Sequence, residues 1–116
     1  MTPVLSASTL SGDKVHNAQG ENLGKIEDFL LDMDTGRIAY AVLSFDGALN
    51  GSDKLFAVPP EALRLDADNK CFVINVDKKT LENAPGFDKD HWPNFADRSF
   101  GTQIYSYYGR RPYWTS

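Results

Sequence analysis

Leu23-Gly-Lys-Ile26-Glu-Asp28-Phe-Leu30-Leu-Asp32-Met-Asp34-Thr-Gly36-Arg37-Ile-Ala-Tyr40-Ala-Val-Leu43-Ser-Phe45 is the stretch whose reading decides the fold. It reads as two long strands joined by a tight reversal. At Asp34-Thr35-Gly36 the glycine stands where a type I turn with a G1 bulge needs a left-handed residue. The return strand, Arg37 to Phe45, is rich in β-branched and aromatic residues, with Ile38, Tyr40 and Val42 on one face. The outgoing strand puts Gly24, Ile26, Asp28, Leu30 and Asp32 on one face and Phe29, Leu31 and Met33 on the other. Apolar residues on both faces predict a strand covered on each side, or a bulge that shifts its phase.

Upstream, Ser6 to Leu10 is a short run of small and β-branched residues before the turn Ser11-Gly12-Asp13. Lys14-Val15-His16-Asn17 is a brief strand candidate, and Asn17 to Glu21 a turn in which Gly20 is free to take positive φ. Downstream, Asp46 to Asp53 is a loop, and Lys54 to Val58 a strand stopped by Pro59-Pro60. Pro60 to Leu63 makes one helical turn, since proline suits the first helical position. Leu63-Arg64-Leu65 is extended, Asp66 to Lys70 is a polar turn, and Cys71 to Val76 is a further strand. About six short strands with turn signals every 8–12 residues predict a small antiparallel barrel or sandwich, mainly β.

The texture changes after residue 76. Asp77 can cap a short helix over Lys78 to Asn83. Phe87 to Asn94 reads as loop, and Asp97 caps a second helix that ends near Tyr108, with Gly109 as its terminating residue. Phe100, Ile104 and Tyr107 recur at helical spacing, which predicts that this side docks on the barrel. Residues 1–84 are thus expected to form the barrel with a short helix at its end. Residues 85–116 are expected to form an aromatic extension packed on it.

Composition narrows the functional classes. A chain of 116 residues fits one domain with a core that needs no staples. Cys71 is the only cysteine, so no intrachain disulfide forms. No apolar run approaches the ~20 residues of a membrane-spanning helix, and the amino end lacks the pattern of a secretion signal. A cytoplasmic protein without membrane insertion is expected. The net charge is −4; residues 1–84 carry eight Lys/Arg against thirteen Asp/Glu, and residues 85–116 four against three. That acidic body argues against nucleic acid, whose phosphates require a basic patch.

Motifs for chemistry are sparse. Asp32-Met33-Asp34-Thr35-Gly36 has its glycine one place early for a calcium loop, and the twelfth position is Leu43. Asp66 to Lys70 fails at its fifth position, so turn chemistry explains both and no metal is expected. The Gly47–Gly51 loop lacks the ending of a phosphate-binding loop. His16 and His91 stand in no ligand spacing, and Cys71 reads as a small packed residue. Asp28 shares a face with Ile26 and Leu30 but has no visible partner acid or base. No cofactor and no catalytic residue are expected, so the chain reads as a non-enzyme.

The one unusual feature is aromatic. Both tryptophans and four of five tyrosines follow residue 90. Tyr105 and Tyr108 fall off the predicted docking side, and Tyr113 and Trp114 follow beyond the helix. With Arg110 and Arg111 these are residue types enriched in protein interfaces. They form the expected interaction surface, for a protein partner or a homodimer. The alternative is a small-ligand or metabolite sensor using the barrel mouth near Gly47–Gly51.

Several strings together resemble a known family. Ser6-Ala-Ser-Thr-Leu-x-Gly12-Asp-Lys-Val, Asn17-x-x-Gly20-Glu-x-Leu23-Gly24-Lys-Ile-x-Asp28 and Asp34-Thr-Gly36-Arg-Ile-Ala-Tyr-Ala-Val-Leu-Ser resemble the PRC-barrel family. Lys54-Leu-Phe-Ala-Val-Pro59, Asn83-Ala-Pro-Gly-Phe-Asp-Lys-Asp-x-Trp92-Pro and Tyr107-Tyr-Gly-Arg-Arg-Pro-Tyr-Trp114 look like its stand-alone bacterial members. The resemblance implies a small PRC-type β-barrel acting as an adaptor, and it supplies no catalytic residues. The chain departs from the photosynthetic reaction-centre H subunit in lacking a membrane-spanning helix. It departs from the related ribosome-maturation factor in lacking that protein's amino-terminal domain.

Overall fold

The computed structural model describes residues 6, 10, 12–44, 54–66, 71–84, 86–88, 90–112 and 114. Seven strands form one sheet: β1 Lys14–His16, β2 Asn22–Asp32, β3 Arg37–Ser44, β4 Lys54–Val58, β5 Leu63–Asp66, β6 Cys71–Ile74 and β7 Gly86–Asp88. A 3-10 turn, Pro60–Ala62, precedes β5, and two α-helices, α1 Lys78–Glu82 and α2 Arg98–Tyr107, follow β6 and β7. The expected loop Asp46–Asp53 with its Gly47–Gly51 mouth, the turn residues Ala67–Lys70, and Tyr113 lie outside the described residues. No helix among the described residues is long and apolar enough to cross a membrane.

The strand order is β5-β6-β1-β2-β3-β4-β7. This corrects the expected antiparallel barrel of about six strands in three respects. Among the described residues there are seven strands, β1 pairs with β6 in parallel, and the sheet is open, with β5 and β7 at its edges. The seventh strand is only three residues long, too short to carry a period, and it corrects the expected loop Phe87 to Asn94 at Phe87 and Asp88. Its Gly86 has a packing reason, because a Cβ there would come within 2.9 Å of the Phe56 ring. Strand direction is a tertiary matter that a three-residue strand such as β1 does not encode.

The hairpin behaves largely as its residues dictate. The Asp32 carboxylate accepts from the backbone N–H of Asp34 at 2.9 Å and of Thr35 at 3.3 Å. Gly36 takes φ 76° and donates to the Asp32 carbonyl at 2.8 Å. Both explanations for the two apolar faces apply as far as Leu30, beyond which Leu31 and Met33 are exposed. The β2–β3 register shifts between Ile26 and Asp28 and again between Leu30 and Leu31, and the sheet is also covered on two sides. Ala41, Leu43, Phe56 and Val58 enter one core with Val15, Leu23, Ile26, Phe72, Ile74 and Leu81. Tyr40, Val42, Leu55 and Ala57 enter a second core with Phe87, Ile104 and Tyr105. β3 and β4 are therefore shared walls between two cores, which is why they read as continuous apolar runs.

Candidate functional site

The tip of the hairpin, the first turn of α2 and Trp114 converge on a cleft of about 310 Å³. Its walls are Leu30, Leu31, Met33, Tyr40, Phe95 and Trp114, with Asp32, Asp34 and Arg98 as its charged members. The elements meet here for local reasons. Asp97 caps α2 by accepting from the Ser99 N–H at 2.9 Å, which starts the helix against the hairpin. Gly101 then allows close approach. A Cβ at that position would collide with the Tyr40 hydroxyl and come within 2.6 Å of Trp114 Cη2.

The aromatic residues interlock around this notch. Tyr40 lies 5.2 Å from Phe95 and 5.7 Å from Tyr105, centroid to centroid, and Tyr105 lies 5.5 Å from Trp114. The Arg98 guanidinium sits 5.5 Å from the centre of the Trp114 ring, within cation–π range. Tyr40 is only 1% exposed, and among the described residues its hydroxyl has no hydrogen-bond partner. Burial pushes its phenol up to about 12.

The described members of the expected interaction set differ widely in exposure. Tyr105 corrects the sequence reading most clearly: it is fully buried, and its hydroxyl donates to the Ala39 carbonyl at 2.7 Å. Tyr108 is half-buried between the two cores, and burial raises its phenol, with Tyr107 adding in the same direction. Trp114 is half-buried against α2, whereas Arg110 and Arg111 are exposed. The docking side of α2 is also rotated from the expected Phe100, Ile104 and Tyr107. Gly101, Ile104 and Tyr105 are its buried residues, while Tyr107 stays partly exposed and donates to the Thr80 carbonyl. The expectation weighed large apolar residues only; the contact is organised by a glycine.

Sequence reasoning missed the hairpin's outer end. Leu31 is 59% exposed, Met33 84% and Ile38 39%. Leu31 and Ile38 are direct cross-strand partners, so they form one patch. The signal was present, since these residues adjoin Asp32 and Asp34 at the turn, beyond the reach of either core.

The other residues weighed for chemistry stand apart. Asp28 is exposed, and its carboxylate accepts from the Phe29 N–H at 2.7 Å. His16 on β1 and His91 beyond β7 are separated by β2, β3 and β4 in the sheet. Lys14, His16, Arg64 and Cys71 line a second, shallower hollow of about 550 Å³. Burial first, then Asp66 and Asp13, raise the Cys71 thiol against a smaller lowering by Arg64. A thiol so placed is a poor nucleophile. Among the described residues no three His, Cys, Asp or Glu side chains come together as a metal site.

A family model of the PRC-barrel domain matches residues 3–81. No curated protein sequence matches the chain. The matched span holds β1 to β6 with both register shifts of the β2–β3 hairpin, and it extends into α1 as far as Leu81, a residue of the first core. The mainly β sheet with its long central hairpin is consistent with that match, and the chain belongs to the PRC-barrel domain family.

Proposed function

We propose that this PRC-barrel chain is a non-catalytic, cytoplasmic interaction module that associates with a second copy of itself through the outer end of the β2–β3 hairpin. The observation that carries this reading is the exposed trio Leu31, Met33 and Ile38. Covering a side chain of this kind contributes about 1.5–3 kcal/mol, and association itself costs several kcal/mol. Three anchors on each copy therefore suit a micromolar dimer better than a permanent one. A two-fold contact places the same patch on both copies, so one cluster supplies both halves of the interface. Met33 is the adaptable member, because its unbranched thioether fits irregular surfaces.

Sedimentation velocity at micromolar concentration tests the reading. A dimer is expected, and Leu31→Glu with Met33→Glu should give a monomer that still unfolds in one cooperative urea transition. A monomeric parent protein, or a dimer that survives the double substitution, overturns it.

A further inference from the structure

We infer that a second copy of this chain completes the cleft between the hairpin tip and α2: Met33 of each copy enters the other's cleft, and Asp34 of each meets the other's Arg98. The inference rests on the association proposed above and names what each copy inserts. Met33 is the most exposed of the apolar trio and projects just past the end of β2. Beside it lies a cleft of about 310 Å³, the lower end for small-molecule sites and room for one long side chain. Leu30, Phe95 and Trp114 wall it, and a thioether packs well against aromatic rings. A two-fold contact needs knob and hole on the same surface of each copy. They are, because Met33 stands on the rim of its own cleft. The charges are self-complementary in the same way. The Asp32 carboxylate is engaged by the turn, accepting from the Asp34 and Thr35 N–H groups, and Asp32 stands opposite Arg37 in the hairpin register. Asp34 on the hairpin side and Arg98 on the α2 side are both exposed. Among the described residues neither forms an ion pair, with the other or elsewhere. Each copy thus offers one unmatched charge of each sign across the cleft. A two-fold contact joins them as two crossed pairs, which fix the register of the contact.

Sedimentation velocity of the full chain with charge-reversed variants is the direct test. Arg98→Asp and Asp34→Arg should each weaken the dimer about tenfold or more, because each sets like charges face to face twice. Mixed in equal amounts, the two variants should form a heterodimer of near-parent affinity, since each supplies the charge that the other lacks. Ala96→Phe, which fills the cleft from the α2 side, should also weaken the dimer about tenfold. All three positions are exposed, so each variant should keep a cooperative urea transition that shows it is folded. A dimer that is lost on Leu31→Glu with Met33→Glu, yet indifferent to all three of these substitutions, overturns the inserted arrangement and leaves the association itself standing. Weakened variants that fail to recover on mixing overturn the crossed pairs. A parent chain that stays monomeric overturns both the association and the insertion.

Discussion

Two buried tyrosines face each other across the second core with their hydroxyls in opposite circumstances. Tyr105 donates to the Ala39 carbonyl, whereas Tyr40 has no partner. Tyr105→Phe strands a buried carbonyl and should cost about 1–3 kcal/mol in urea unfolding. Tyr40→Phe should be neutral or stabilising, because it removes a polar atom whose hydration was already lost. The same hydroxyl limits Gly101. Gly101→Ala should destabilise by about 1–3 kcal/mol through overpacking against Tyr40 and Trp114. Pairing it with Tyr40→Phe should recover part of that loss, a coupling that a double-mutant cycle reads directly. Tyr40 also sets an alkaline limit. Its phenol has an ordinary value of 10.0 and is raised to about 12 in the folded chain. Between those values the unfolded state binds fewer protons, so stability should fall as pH rises through the window. Tyr40→Phe should flatten that fall in urea midpoints measured from pH 9 to 12, and an unchanged slope would assign the effect elsewhere.

At the scale of elements, what was legible in the chain is what local chemistry decides. Asp97 and Asp77 were recognisable as caps, and each carboxylate accepts an N–H two or three residues on. Gly36 and Gly109 ended their elements with positive φ, as the turn and helix-end rules require. Because α2 delivers Ile104 and Tyr105 to the second core, its cap supports more than one turn. Asp97→Ala should cost about 1 kcal/mol and lower helix content by circular dichroism, while Asp97→Asn should restore most of the loss. The rotation of α2 was not legible, since periodicity ranks side chains by size and the notch at Gly101 is defined by what Tyr40 and Trp114 leave open. β7 was hidden for a related reason: three residues show no alternation, and their pairing with Lys54–Phe56 is visible only in three dimensions. The candidate site suffered most. Four of its six walls, Leu30, Leu31, Met33 and Tyr40, come from a hairpin that the sequence presents as purely structural, and Tyr105, expected at the surface, is part of the support behind it.

Across the whole molecule, the family match and the physical unit have different limits. The PRC-barrel match ends at residue 81, but the sheet acquires its last strand from Gly86–Asp88 and the second core acquires Phe87, Ile104 and Tyr105. A fragment of residues 1–84 would leave β4 as an unpaired edge and expose Tyr40, Val42 and Leu55 on the uncovered face. Losing cover over those three side chains alone forfeits roughly 5–9 kcal/mol, against a total stability of about 5–15 kcal/mol for a domain of this kind. The bare edge adds a template for strand pairing between molecules. Residues 1–84 expressed alone should therefore bind a hydrophobic dye, unfold with a broad transition and aggregate at micromolar concentration. If the fragment unfolds cooperatively near the midpoint of the full chain, the second core is dispensable. The extension would then be an appendage to a self-sufficient sheet, and the aromatic residues after position 90 would need a reason other than the fold's own need for cover.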